Sequence, residues 1–144
     1  MVTYQALFEP DRRVGGFVIT FPDFDWGVSQ ADTEGEALAM AEDLLVTMIG
    51  DHIKQSQEIP VATRRRGSRY RQIQLPALQS AKVELYQVFC ASGLPKAELA
   101  RRIGIPRSNL ERLFNLKHHS RLDQIEAAFI ALHKRIWFEV RDAA

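Results

Sequence analysis

The chain has a single cysteine, Cys90, which excludes an internal disulfide, and it lacks the CxxC or Cys/His neighbours of a metal motif. Cys90 is expected to be a buried or half-buried helix residue. No run approaches the roughly 18 consecutive apolar residues that a membrane-spanning helix needs. The opening MVTYQALFEP has neither a basic start nor an apolar stretch, so no secretory signal is expected and the expected compartment is the cytoplasm. There is no phosphate-cradling glycine loop and no nucleophile paired with a base, so an enzyme is not expected, nor a cofactor or metal. Internal repeats and low-complexity segments are missing too.

What is present is the 46% hydrophobic content of a globular protein and a charge distribution that the net charge of +1 conceals. Residues 1–63 carry 3 basic and 11 acidic side chains, residues 64–76 carry 5 arginines and no acid, and residues 77–144 carry 11 basic and 7 acidic. The front is repelled by nucleic acid and drawn to a basic partner, whereas the back suits phosphate. The arginines from Arg64 to Arg71 read as a solvated loop, with a second nucleic-acid contact as the alternative.

Hydrophobic periodicity places the elements. Thr3 to Phe8 and Gly16 to Phe21 read as a β-hairpin across turn-forming Pro10-Asp11 and Gly15-Gly16, with Phe17, Ile19 and Phe21 on one face. Trp26 to Gln30 reads as a short third strand. The capping box Thr33 to Glu36 opens a helix from about Glu34 to about Gln55, lined by Ala37, Ala41, Leu44 and Met48. It is expected to lie across the sheet, since a three-stranded ribbon alone buries too little. Tyr70 to Leu75 alternates as a closing strand with Ile73 and Leu75 inward, and Pro76 marks a boundary.

Behind Pro76 the period becomes helical, with Leu78, Ala81, Leu85 and Val88 or Phe89 as a stripe. The stretch PKAELARRIGIPRSNLERLFN, Pro95 to Asn115, then reads as two short helices: Leu99 and Ile103 line the first, Leu110 and Leu113 the second. Ala100 lies at the close crossing, Gly104 supplies a left-handed turn and Pro106 opens the second helix. Ser120 to Asp123 is a further capping box before Leu122, Ile125, Phe129 and Leu132. Arg135 to Val140, RIWFEV, reads as a lone strand that must find an edge. The simplest edge is the same strand of a second copy, so a homodimer through the C-terminal part is expected.

The spacing of Ala100, Gly104, Leu110 and Leu113 resembles the helix-turn-helix of phage-repressor-like DNA-binding proteins. That resemblance implies that Arg107, Ser108 and Arg112 reach base edges in the major groove, where a guanine-forking arginine discriminates by about 1–3 kcal/mol. Ser108 to Glu111 can also be read as a capping box that simply starts a helix. Lys96, Asn115, Lys117, His118 and Arg121 are then placed to hold the phosphate backbone of operator double-stranded DNA.

The stretch GGFVITFPDFDWGVSQADTEGEALAMAEDLL resembles the HicB antitoxin family: a strand ending in F-P-D, a short loop, a second strand with glutamine, then a T-x-x-E-A capped helix. The resemblance runs through RQIQLP and covers about the first 76 residues. It implies an α+β chain. Residues 1–76 would be a degenerate RNase H-like domain of three to four strands and one helix; residues 77–144 would be an all-α helix-turn-helix domain with a terminal strand. It further implies a HicA-type ribonuclease toxin as partner, covered by the front half, with operon autorepression by the back. Phe24, Asp25 and Trp26, expected to be exposed in their loop, are the candidates for touching that toxin.

Two rivals belong to other classes. RNase H-like chemistry uses clustered carboxylates holding two metal ions, and Glu9, Asp23 and Asp25 are the only candidates; all sit in turns, where Asp is favoured for local backbone bonds. The other rival is a stand-alone transcription regulator with a ligand-sensing or protein-sensing front.

Overall fold

The structure is a computed structural model and describes residues 1–143. Four strands, β1 (Thr3–Pro10), β2 (Phe17–Thr20), β3 (Ser29–Ala31) and β4 (Tyr70–Gln74), form one sheet in the order β3-β2-β1-β4 with every pairing antiparallel. The 21-residue helix α1 (Glu34–Lys54) lies between β3 and β4 in sequence and covers one face. Alternation decides which face: Tyr4, Ala6 and Phe8 of β1, Ile19 of β2 and Ile73 of β4 point to α1, which answers with Ala37, Ala41, Leu45, Met48 and Ile49. Phe8 stands opposite Ile19 and Tyr4 opposite Ile73, so the register puts large side chains side by side in that layer.

The Thr33 cap forms as read: the Glu36 amide donates to Thr33 Oγ1 at 3.2 Å, while the Glu36 carboxylate accepts from the Asp32 amide at 3.1 Å. The third strand starts later than expected, at Ser29. Gly27 has a φ of 99°, and a Cβ there would come within 2.5 Å of Met48 Sδ, so Trp26-Gly27 turns over α1 before pairing can begin.

Four helices follow: α2 (Ala77–Ser92), α3 (Lys96–Ile103), α4 (Arg107–Phe114) and α5 (Leu122–Ala131). The buried side chains of sheet, α1 and these helices make one continuous cluster. Polar bonds from α2 reinforce it. Ser80 Oγ accepts from the Val2 amide at 3.1 Å and donates to the Leu75 carbonyl at 3.0 Å; Tyr86 Oη donates to the Gln57 carbonyl at 2.7 Å.

Several expectations for the back half shift. The buried face of α2 is Ser80, Lys82, Val83, Leu85, Tyr86 and Phe89, rotated from the expected stripe so that Leu78 and Ala81 are only half-buried. Cys90 is exposed rather than packed. The Ser120 box does not cap α5: Arg121 is the cap residue and makes no side-chain capping bond, while the Ser120 hydroxyl is turned to the Arg112 carbonyl. Leu122 is exposed as well. Residues 134–143 form neither helix nor strand, so the expected terminal strand Arg135 to Val140 is not formed within the single chain.

Candidate nucleic-acid interface and acidic face

Helices α3 and α4 are eight residues each and joined by Gly104, Ile105 and Pro106. Gly104 takes the left-handed conformation at φ 80°, and the amides of Gly104 and Ile105 both donate to the Ala100 carbonyl, at 2.9 and 3.1 Å, closing α3 and reversing the chain. Leu99, Ala100, Leu110 and Leu113 are buried between the two helices and their neighbours, as the stripe requires. The outer face of α4 is polar. Arg107, Ser108 and Arg112 are all exposed, and Arg112 has no ion pair among the described residues. Pro106 is the N-cap residue of α4, so Ser108 is its second helical residue and the capping alternative is not realised.

The other residues expected at phosphate have local partners. Lys96 Nζ meets the Glu111 carboxylate at 3.1 Å and lies 6.0 Å over the Phe114 ring; Arg107 Nε is 3.9 Å from the same carboxylate. Asn115 Oδ1 accepts from the Lys117 amide, leaving the Lys117 side chain exposed. Arg121 pairs with Asp123 at 2.6 Å. His118 is half-buried against Ser120 Oγ at 3.1 Å; desolvation, then Lys82, Arg112 and His119, hold its pKa below the ordinary value, so it is neutral at pH 7. On α3, Arg101 and Arg102 both close on Glu98, whose carboxyl their hydrogen bonds hold at about 2.

The front presents the opposite chemistry. From Val14 to Ile53 there is no lysine or arginine, while Asp23, Asp25, Asp32, Glu34, Glu36, Glu42, Asp43 and Asp51 all fall in that span. Apolar side chains stand exposed among them: Trp26 is 46% accessible, Val28 62%, Leu38 43% and Met40 41%. Val14, Phe17, Gln30, Asp32, Glu36 and Met40 line a groove beside the edge strand β3. A second cleft, between α1 and the end of α4, brings Trp26 and Asp51 to one wall and Glu111, Phe114 and Lys117 to the other.

The arginine-rich connection to β4 is fastened rather than loose. Asp23, with a nearly buried carboxylate, accepts from the Thr63 amide at 3.0 Å and from the Thr63 hydroxyl, and meets Arg65 at 3.5 Å. Gln5 clasps the Arg65 backbone through both its amide oxygen and its nitrogen. Arg71 pairs with Glu34 at 2.7 Å and lies over Phe8. These partners account for Asp23 as a loop fastener, and among the described residues no three His, Cys, Asp or Glu side chains converge.

A family model described as a HicB-like antitoxin of bacterial toxin–antitoxin systems matches residues 3–84. Antitoxin HicB of Escherichia coli K12 is 34% identical over 122 residues, 85% of this chain and 88% of that protein. Antitoxin HicB of Pseudomonas fluorescens Pf0-1 is 37% identical over 142 residues, 99% and 97% of the two chains. The chain belongs to the HicB antitoxin family. Among solved structures, a toxin–antitoxin complex from Streptococcus pneumoniae superposes with a TM-score of 0.45 at 21% identity, over 76% of this chain and 93% of that one.

In this HicB antitoxin the loop residues do not behave alike. Asp25 and Trp26 are exposed as expected, but Phe24 is buried, packed on Tyr4 at 5.2 Å, on Phe21 at 6.4 Å and on His52 at 5.7 Å between ring centroids. It fixes the loop from below and offers a partner no surface. Burial, then Asp23 and Glu84, pushes Tyr4 beneath it up to about 12. The residue that sequence reasoning missed is Lys82, which is fully buried. A lysine in an amphipathic helix carries no local sign of burial; the only hint is that it interrupts the face made by Val83, Tyr86 and Phe89.

Proposed function

We propose that this HicB-family chain neutralises a HicA-type mRNA-cleaving ribonuclease toxin with its acidic front, residues 1–76, and autorepresses its operon in the cytoplasm with residues 77–144. Two surfaces of opposite chemistry on one chain carry this reading. One is a 40-residue span without a single lysine or arginine; the other is a helix-turn-helix with Arg107, Ser108 and Arg112 on its open face. On the front, Asp25 and Trp26 with the β3 edge and the outer face of α1 offer carboxylates around apolar anchors, a pattern suited to a basic protein. On the back, Arg107, Ser108 and Arg112 reach base edges, while Lys96, Asn115, Lys117, His118 and Arg121 hold phosphate. Lys96 and Arg121 exchange their carboxylate partners for phosphate when they do so.

A palindromic operator is matched by a dimer. Trp137, Phe138 and Val140 are exposed in the segment that lacks an edge, Trp137 to 80%. Pairing of residues 135–140 with the same residues of a second copy covers them and closes about a two-fold axis. Sedimentation of the full chain as a dimer and of a chain cut after Lys134 as a monomer is the expected pair of results; dimers of the shortened chain exclude the pairing.

The function is tested by co-expressing the chain with the product of the adjacent reading frame and titrating the purified complex against the gene's own upstream duplex. Co-purification, loss of the toxin's RNA cleavage and preference for that duplex over a scrambled one are expected. Failure of the first two excludes the toxin reading and favours a stand-alone regulator; failure of the last removes the repressor.

A further inference from the structure

The side chain of Lys82 is 0% accessible, yet it reaches across from α2 to the backbone that ends α4. Its Nζ donates to three carbonyls, those of Arg112 at 2.9 Å, Asn115 at 2.7 Å and His118 at 2.6 Å. One turn earlier on the same face, Gln79 Nε2 donates to the Leu116 carbonyl at 3.3 Å. Two side chains of one helix therefore hold four carbonyls, one in the last turn of α4 and three in the turn that follows it. An ammonium has three donors and here finds three acceptors.

The residues borne on that turn, and at the end of the helix before it, are Arg112, Asn115, Lys117 and His118. We infer that Lys82 is the positioning residue for operator reading: buried and never touching DNA, it sets the angle of α4 and the path of the phosphate-facing turn. It acts in two ways. Geometrically, it ties the end of α4 to α2, which is itself bonded through Ser80 to Val2 and Leu75, the residues flanking β1 and β4, and through Tyr86 to the Gln57 carbonyl. Electrostatically, the carbonyls at the end of a helix carry about half a negative charge, which opposes phosphate, and the ammonium cancels it from beneath. This inference rests on the operator-binding reading above.

The same geometry gives it a signature. Burial lowers the Lys82 pKa from its ordinary value to about 8. A neutral amine keeps two N–H donors for three carbonyls, and its charge is gone. The charged and titratable side chains that face it come from the α4 side: His118, and beside that imidazole Arg112 and His119. Arg121 and Asp123, paired with each other, line the cavity beside His118. His118 is already neutral above pH 7, so it adds no step of its own there.

The test uses the full chain, the gene's upstream duplex and a scrambled duplex, at pH 7 and pH 9 and constant salt. In the wild type the preference for the upstream duplex falls several-fold between the two pH values. Lys82→Met, a near-isostere without charge or donors, loses about tenfold at pH 7, on the scale of one charge-assisted hydrogen bond, and its remaining affinity is flat with pH. Amide hydrogen exchange at 115–120 is faster in the variant, while toxin capture persists. The wild-type pH measurement needs no variant, so a misfolded Lys82→Met leaves the inference testable. A preference that is the same at pH 7 and pH 9, or a folded Lys82→Met with wild-type preference, overturns the role of Lys82 alone. A wild type without preference at pH 7 overturns the operator reading and this inference with it.

Discussion

The front and back halves of this antitoxin are built on different physics. In the front, a sheet with a 21-residue helix across it buries an unbroken apolar layer, and the surface chemistry is laid over that layer as side chains. In the back, the two helices of the helix-turn-helix have eight residues each, and the end of α4 is held by bonds from a buried lysine and a glutamine to backbone carbonyls. The proposed front surface is therefore robust to single changes, since no one carboxylate defines it. The proposed back surface depends on orientation, and orientation there rests on a few polar groups.

That contrast can be broken or sharpened by mutation, and the largest effect is expected from the core of α4. Leu110 is 0% accessible, and Leu110→Ala is expected to cost about 2–5 kcal/mol by chemical denaturation. Operator binding should vanish first. Should toxin capture vanish at the same concentration of denaturant, the halves unfold as one and the contrast is confined to their surfaces.

A second effect comes from pH. The folded Lys82 titrates near 8 and the unfolded one near 10.5, so between those values the unfolded chain holds a proton that the folded chain has released. Unfolding free energy therefore rises with pH across that window: a penalty present in full below 8 is relieved as pH climbs. The gain should be on the order of 2 kcal/mol by pH 10, and Lys82→Met should abolish it. Denaturant midpoints at pH 8 and pH 10 measure it.

Smaller effects sharpen the division. Arg107→Ala is expected to weaken binding to the upstream duplex by about 1–3 kcal/mol while leaving the scrambled duplex and toxin capture nearly untouched. Thr33→Ala removes the cap of α1 and is expected to lower stability by about 1 kcal/mol with no change in duplex preference. Smallest is Lys117→Ala, which should weaken binding evenly across sequences and reduce the salt slope by about 0.9. A sequence-dependent loss would make Lys117 a reader of bases.

Where structure follows from neighbours in the chain, the sequence was a sufficient guide. The Thr33 cap, the inward Ile73 and Leu75, and the packing of Leu99 and Leu110 across Gly104 are all set by spacing within one or two elements. Lys82 was hidden because its three acceptors lie 30, 33 and 36 residues away, and no local pattern encodes a non-local cradle. Phe24 was misplaced for a similar reason: its loop looks polar, but Tyr4 and His52, which cover it, come from β1 and α1. The rotation of α2 follows from the same cause, since Ser80 and Tyr86 turn inward to carbonyls outside their own helix. Of the proposed site, the exposure of Arg107, Ser108 and Arg112 was legible and the lysine beneath the end of α4 was not.

The bonds that fasten α2 to Val2, Leu75 and Gln57 bear on how such a chain can be rebuilt. A graft that begins at Ala77 carries the lysine brace along but leaves its anchorage behind. The proposed DNA-reading portion is thus a poor portable cassette, and chimaeras between relatives should retain α2 together with the strand that precedes it.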